Sequence, residues 1–416
     1  MLPFAIKIHK NRVLKRILIW SVSFLLGILY LFSFQYYGVE VFYKERNVPF
    51  RGDSFYNPYK DFSAVSIKSN FHAHSEGKLG LTNGHQKPEE IFAHYKDAGY
   101  DRISLSDYGR IETDKSDHEY IEVYEHGYNI RKTHQLVINS ERVNWSEFSL
   151  FQNYHTKQHI VNKLKQSGGL VALAHPGLMN GYTHDDMKYL KGYDFIEVLN
   201  NYYVSDKIWD TALSNGYPAW ILAGDDCHDI SKSNLSFVNW VRIGSEGNSR
   251  QEVLDAIKRG CHYGFRNLDH DETNFLDSCI VQGGVINVFF RKIAGEISFI
   301  SDNGNIKKVI DSAASASYSI LKDDSYVRIE AKTSDGTIYL NPIIRFNGYQ
   351  LNSNNGLASV NTSLTILFRI MALIVNMGLL LAILMLHMRF TLPVNLIKSV
   401  AESINRGTLK PGMNRV

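Results

Sequence analysis

Hydrophobic and polar positions change places in a regular way through the middle of the chain. From Ser63 onward, short apolar runs alternate with stretches in which apolar residues recur at helical spacing. That alternation predicts βα units and a parallel sheet or barrel. The first run ends at Asn70-Phe71-His72-Ala73-His74 and leads into a helix from about Pro88 to Ala98, with Pro in its first turn, Glu89 and Glu90 at its positive end, and Gly99 as its stop. The next run, Arg102–Ser106, delivers Asp107. After an insertion rich in Tyr and His, Gln135–Ser140 delivers Glu141. A helix from His155 to Gln166 precedes Leu170–Ala174, which delivers His175 and Pro176. Phe195–Leu199 ends in Asn200, and a helix from Asp206 to Ser214 leads to Ala219–Gly224, which delivers Asp225, Asp226, Cys227 and His228.

Beyond a strand at Phe237–Ile243 and a helix at Arg250–Arg259 the period changes. Cys279–Val281, Val285–Phe290, Glu296–Ser301, Tyr326–Lys332 and Thr337–Tyr339 are short alternating runs separated by turn pairs such as Asn303-Gly304 and Asp335-Gly336. These predict a small antiparallel sandwich used for packing or recognition.

The two ends read differently. Ile17 to Phe34 and about Leu364 to His387 are apolar runs long enough to cross a bilayer at about 1.5 Å of rise per residue. The first run is longer than a signal-peptide core, and Gln35-Tyr36-Tyr37-Gly38 offers no small-residue cleavage site, so an uncleaved anchor is expected. Arg369 can snorkel to the interface and Asn376 needs a partner across the span. Lys7, Lys10, Arg12, Lys15 and Arg16 precede the first span, and Arg389, Lys398, Arg406, Lys410 and Arg415 follow the second. By the positive-inside rule both termini are cytoplasmic and about 36–363 lies outside the cytoplasm, on a cell membrane. The expected domains are a basic N-terminus at 1–16, a span at 17–35, a linker at 36–62, a metal-dependent barrel at 63–270, a β domain at 271–350, a second span at 364–388 and a cytoplasmic tail at 389–416. Leu392–Gly407 looks like the first helix of a HAMP signalling segment without its second helix; a basic helix lying on the bilayer is the simpler reading.

With 416 residues and 44% hydrophobic content the chain can bury a sizeable core. Its net charge of +3 is small, and no basic stripe with interleaved aromatics exists, which argues against nucleic-acid binding. Cys227, Cys261 and Cys279 lack metal or redox spacing.

The candidate chemistry lies at the strand ends. Alternate residues of an extended chain face one side, so His72 and His74 can share a metal ion. Five strand-like runs end on His, Asp or Glu, and in a βα barrel those ends converge on one face. Mixed imidazole and carboxylate ligands without thiolate suit a hydrolytic, often multinuclear, site of Zn, Mn or Fe.

The series His72-x-His74, Ser106-Asp107, Ala174-His175-Pro176 and Asp226-Cys227-His228 resembles the PHP (polymerase and histidinol phosphatase) superfamily of metallohydrolases. Trp209-Asp210 through His228 looks like its CehA/McbA-type branch. The resemblance covers about 63–270 and implies a distorted (β/α)7-type barrel, followed here by the small sandwich and flanked by the two spans. It further implies that His72, His74 and Asp226 hold one ion and that Glu141 bridges to a second held by His175. The remaining ligand of the second ion is expected to be His155, with His159 next. His228 would serve a third metal or the reacting phosphate. Two departures weigh against a third ion: Asp107 is followed by Tyr108 instead of His, and Gly80 stands where a ligand is expected. Tyr108 can instead donate a hydrogen bond to substrate, giving Asp107, Tyr108 and His228 as candidate catalytic groups.

Other residues are open to two readings. Glu197 and Asn200 suit substrate contact or a structural pair; Arg110, Arg142 and Lys78 suit a phosphate clamp or solvated charge; Asp225 can orient a ligand. His85, His94, His118, His126, His134 and His184 read as surface or insertion residues, and Ile111–Thr133 as a lid. The expected activity is hydrolysis of a small-molecule phosphoester. Carbamate, ester or amide hydrolysis is the alternative, and a metal-binding sensor that has lost turnover is the reading from a different class.

Overall fold

The computed structural model describes residues 2–62, 66–77, 83–113, 117–267, 272–348 and 356–405. In chain order the regular elements are α1 (Leu2–Ser33), β1 (Ser54–Tyr56), β2 (Ser66–Asn70), α2 (Pro88–Asp97), β3 (Arg102–Ile103), β4 (Val123–His126), β5 (His134–Ile138), α3 (Tyr154–Gln166), β6 (Leu170–Ala174), α4 (His184–Met187) and β7 (Phe195–Leu199). There follow α5 (Asp206–Ser214), β8 (Trp220–Ala223), β9 (Asn239–Gly244), α6 (Arg250–Lys258), β10 (His262–Asn267), β11 (Leu276–Gln282), β12 (Val285–Ser301), β13 (Asn305–Ser319), β14 (Tyr326–Lys332), β15 (Gly336–Leu340), β16 (Ile343–Phe346) and α7 (Thr362–Asn405). The chain divides into two compact units, residues 42–360 and a unit formed by 1–41 with 361–416.

The larger unit holds two sheets. The smaller runs β4-β5-β6-β7-β8, antiparallel as far as β6 and parallel from β6 to β8. Its strands are buried along their whole length, and β6 and β8 accordingly read as unbroken apolar runs. Helices of this unit are fixed by local signals. Asn153 caps α3 by accepting from the amides of His155 and Thr156, and Ser249 and Glu252 form a capping box on α6.

The larger sheet runs β1-β16-β14-β15-β10-β9-β2-β3, with β11, β12 and β13 branching from β14 through β12. Among these pairings only β2 and β3 are parallel. Its core gathers Tyr95 and Leu105 with Trp240, Phe265, Ile329 and Ile338.

Two expectations are corrected here. The described strands do not close into a (β/α)7 barrel, because β2 pairs with β9 on one side and the sheet runs outward instead of wrapping round. Isolated bridges, Ala73 to Cys227 and Tyr108 to Glu125, join the strand ends of the two sheets. The antiparallel runs after residue 271 are not a separate sandwich either: β15 pairs with β10, so they extend the sheet that carries β2. The linker contributes β1, paired with β16, and Val285–Phe290 with Glu296–Ser301 form one long strand that hairpins with β13.

In the second unit, Leu14–Gly38 and Thr362–Met388 are helical, long and apolar enough to cross a membrane. Ser33 Oγ donates to Asn376 Oδ1, the partner that the sequence requires for that amide, and Trp20 packs edge-on against His387 with ring centroids 4.9 Å apart. α7 continues without interruption to Asn405. Arg406, Lys410 and Arg415 lie outside the described residues.

Candidate metal centre

The ends of β2, β4, β5, β6 and β8 bring together the buried groups that matter. His72, His74, Glu125 and Asp226 form one set of donors, and Glu125, His134 and His175 form another; within each set the donor atoms lie within 4.8 Å of one another. Glu125 belongs to both. Its Oε2 is 3.5 Å from His72 Nε2 and 3.2 Å from His74 Nε2, while its Oε1 is 2.7 Å from His134 Nδ1 and 3.2 Å from His175 Nε2. Asp226 Oδ1 stands 3.2 Å from His72 Nε2, 3.1 Å from His74 Nε2 and 3.3 Å from His228 Nε2.

Local backbone geometry makes this convergence possible. The Asp226 amide donates to His72 O at 2.8 Å and the His74 amide to Cys227 O at 2.9 Å, which stitches the ends of β2 and β8 side by side. His175 and Asp226 have φ of 28° and 50°, conformations that cost energy in non-glycine residues and recur at functional sites. Gly224 leaves room for the crossing; a Cβ there would lie 2.6 Å from His72 Cβ and 2.8 Å from Glu197 Oε1.

The residues fit divalent cations. His72 Nε2 and Glu125 Oε2 are fully buried and make no hydrogen bond among the described residues, although they lie close together. Buried donor atoms left without a hydrogen bond in the midst of other imidazole and carboxylate donors are what a cation site requires. The electrostatics agree. Burial would lower the His72 imidazole, yet Asp226, Glu197 and Glu125 hold its pKa well above the ordinary value, and His74, likewise buried, is held at about 9 by Asp226 and Glu125. Burial would raise Glu125 and Asp226, but the surrounding imidazoles keep both well below the carboxylate range. This cage favours positive charge at its centre.

A supporting layer fixes the donors. Glu197 Oε1 is 2.7 Å from His72 Nδ1, and Glu197 Oε2 accepts from the His175 amide at 2.8 Å and from Asn200 Nδ2 at 3.1 Å. Asp225 accepts from Asn70 Nδ2, Tyr95 Oη and the amides of Phe237, Val238 and Asn239, so it anchors the loop that carries Asp226 and points away from the donors. The rings of His228, His74 and Tyr108 stack in that order, with centroids 4.2 Å and 5.0 Å apart. Tyr108 Oη is 3.4 Å from His134 Nδ1, and burial with the nearby Glu125 charge raises its pKa far above the usual phenol value, so it stays protonated.

Of the residues singled out in the sequence, the structure gathers His72, His74, His175, Asp226, His228 and Tyr108. It does not gather Glu141, which is exposed beyond the far end of β5; the carboxylate at the shared position is Glu125. His155 lies at the start of α3, where its Nδ1 accepts from the Phe42 amide, and His159 packs on Phe148. The histidine in their expected place is His134. Asp107 is buried outside both donor sets: it accepts from Ser75 N and Oγ and pairs with Arg110, which also reaches Glu112 at 2.5 Å, Ser75 Oγ at 2.7 Å and Glu76 O at 3.2 Å. Arg142 is exposed, and Lys78 and Gly80 lie outside the described residues. The insertion read as a lid contains β4, and Glu125 is on it.

No family model matches the chain, and no curated protein does. Among solved structures it is similar to a two-domain protein from Bacteroides vulgatus containing a predicted PHP-like metal-dependent phosphoesterase, at 11% identity over 73% of this chain and 92% of that one, with a TM-score of 0.38. At that score the likeness carries no weight, and the functional reading rests on the donor geometry.

Proposed function

We propose that the protein is a metal-dependent hydrolase acting on a small phosphoester, with His72, His74, Asp226 and Glu125 holding one divalent ion and Glu125, His134 and His175 a second. The observation that carries this is Glu125, a fully buried carboxylate with one oxygen turned to each imidazole group. Zn or Mn, with Fe as a further candidate, would supply Lewis acidity toward a phosphoryl oxygen and lower the pKa of water at the site. Glu197 holds the His72 tautomer through Nδ1. Tyr108, kept protonated, donates toward substrate oxygen. His228, with about a quarter of its side chain exposed, stands at the open side of the stack, where it can move a proton at the leaving oxygen. The two apolar helices anchor this unit to a membrane, with both basic termini on the cytoplasmic side.

The test uses the full chain in detergent, loaded with Mn or Zn and assayed on aryl phosphate mono- and diesters beside a His72→Ala, His74→Ala double variant. Turnover that the variant loses is expected. Stoichiometric metal without turnover on any phosphate, carboxylic or carbamic ester sinks the hydrolase and leaves a sensor. Protease protection of the termini in sealed vesicles tests the orientation.

A further inference from the structure

The mouth of the centre carries aromatic side chains that the proposed chemistry does not use. Gly109 follows Tyr108 at φ 58°, and a Cβ there would lie 3.0 Å from the Trp145 ring and 3.6 Å from Tyr128 Oη. Tyr128 donates to Tyr108 O at 3.0 Å, and its ring centroid is 5.5 Å from that of Tyr108. A second pair, Tyr202 and Tyr203, follows Asn200 at the end of β7. Gly177, two residues after His175, seats Tyr203, whose Cε1 would be 2.1 Å from a Cβ. Tyr202 has its amide held by Asn200 Oδ1 at 2.9 Å, and the same Asn200 side chain reaches Asp226. Trp145 and Tyr203 thus each rest on a glycine within two residues of a site residue, and a Cβ would press on the Trp145 ring and displace that of Tyr203.

These rings are not core. Trp145 is 72% exposed, and Tyr128, Tyr202 and Tyr203 are each more than 40% exposed. Exposed rings gathered at the mouth of a polar centre mark a binding surface, whereas rings scattered singly mark nothing. Their chemistry narrows the ligand. Flat faces with phenol edges stack on planar rings. The nearby Arg110 is already paired with Asp107 and Glu112, which leaves it poorly placed to clamp a second phosphate.

Resting on the phosphoesterase reading of the same site, we infer that Tyr128, Trp145, Tyr202 and Tyr203 bind a planar ring carried by the substrate, so that the substrate class is an aryl or nucleoside phosphoester and not a polyphosphate or acyl lipid. The test does not need turnover. Phenylphosphonate, methylphosphonate and octylphosphonate are titrated calorimetrically into the full-length Mn-loaded protein. Phenylphosphonate is expected to bind about tenfold tighter than methylphosphonate, as one stacked ring allows. Trp145→Ala and Tyr202→Ala should each cut that ratio severalfold, and Trp145→Phe should restore most of it. Equal binding of the phenyl and methyl ligands, an octyl ligand as tight as the phenyl one, or a ratio unmoved in both alanine variants overturns the inference. Loss of ester turnover with the phenyl preference intact would instead sink the hydrolase reading alone.

Discussion

Glu197 links the two halves of the centre: one of its oxygens lies 2.7 Å from His72 Nδ1 and the other accepts from the backbone amide of His175 at 2.8 Å. A single carboxylate on β7 thus orients a donor on β2 and the turn that presents a donor on β6. Glu197→Gln keeps the shape and removes the charge that sets the tautomer. Metal affinity is expected to fall about 10- to 100-fold, read by competition with a chelating dye, with far-UV circular dichroism unchanged. Unaltered affinity would show that Glu197 only caps the turn.

Glu125 is expected to control total metal content. Glu125→Ala removes an oxygen from both donor sets and should leave well under one ion per chain by elemental analysis. Glu141→Ala, on an exposed residue, should leave the content at the wild-type level. The reverse result would restore Glu141 as the bridging ligand.

A buried ion pair ties α5 to β14. Arg328 donates through Nε and Nη2 to Asp210 at 2.7 and 2.8 Å, and Tyr326 Oη donates to the same carboxylate at 2.9 Å. Asp210→Ala leaves a guanidinium buried with less compensation, since Glu330 alone remains. The expected cost is about 3–5 kcal/mol in denaturant unfolding, whereas replacing the residues together with apolar ones of similar volume should cost much less.

His262 gives the fold a pH dependence of known sign. It is fully buried, and Nε2 donates to Ile221 O at 2.7 Å. Burial lowers its pKa from 6.5 to about 4. The folded state therefore favours neutral imidazole, so this stability is whole above pH 6.5 and is lost as pH falls from there through about 4. Thermal midpoints measured from pH 7 to 4 should fall more steeply for the wild type than for His262→Gln. Parallel curves would mean that the ring is not buried neutral.

Much of the centre was legible because it obeys a simple rule: β2, β6 and β8 lead into His72–His74, His175 and Asp226–His228; β6 and β8 are apolar enough to be seen, and the polar β2 is betrayed by the His-x-His spacing that follows it. The rule failed at Glu125 and His134 for a directional reason. β5 is antiparallel to β6, with His134 opposite Ala174 and Ile138 opposite Leu170. Its first residue, not the one after its last, therefore meets His175, which is why Glu141 lands at the far edge. Glu125 lies inside β4, a four-residue strand buried throughout, where no alternation of apolar and polar positions reveals a face. The spacing of β4 and β5 as a hairpin was the available signal. β13 escaped notice because Asn305–Ser319 is largely exposed and rich in serine, alanine and lysine. The barrel was expected from the βα alternation, which says which elements exist but not that β2 would take β9 as its neighbour.

That neighbour has a mechanical meaning. From His72 a continuous ladder of main-chain bonds runs through β2, β9, β10 and β15 to the outermost strands. Cutting the chain after residue 267 would strip β10 of one whole flank and leave its amides facing water. The distal third of the molecule therefore braces the imidazoles, and trimming it away should loosen their arrangement although none of the described residues removed belongs to either donor set.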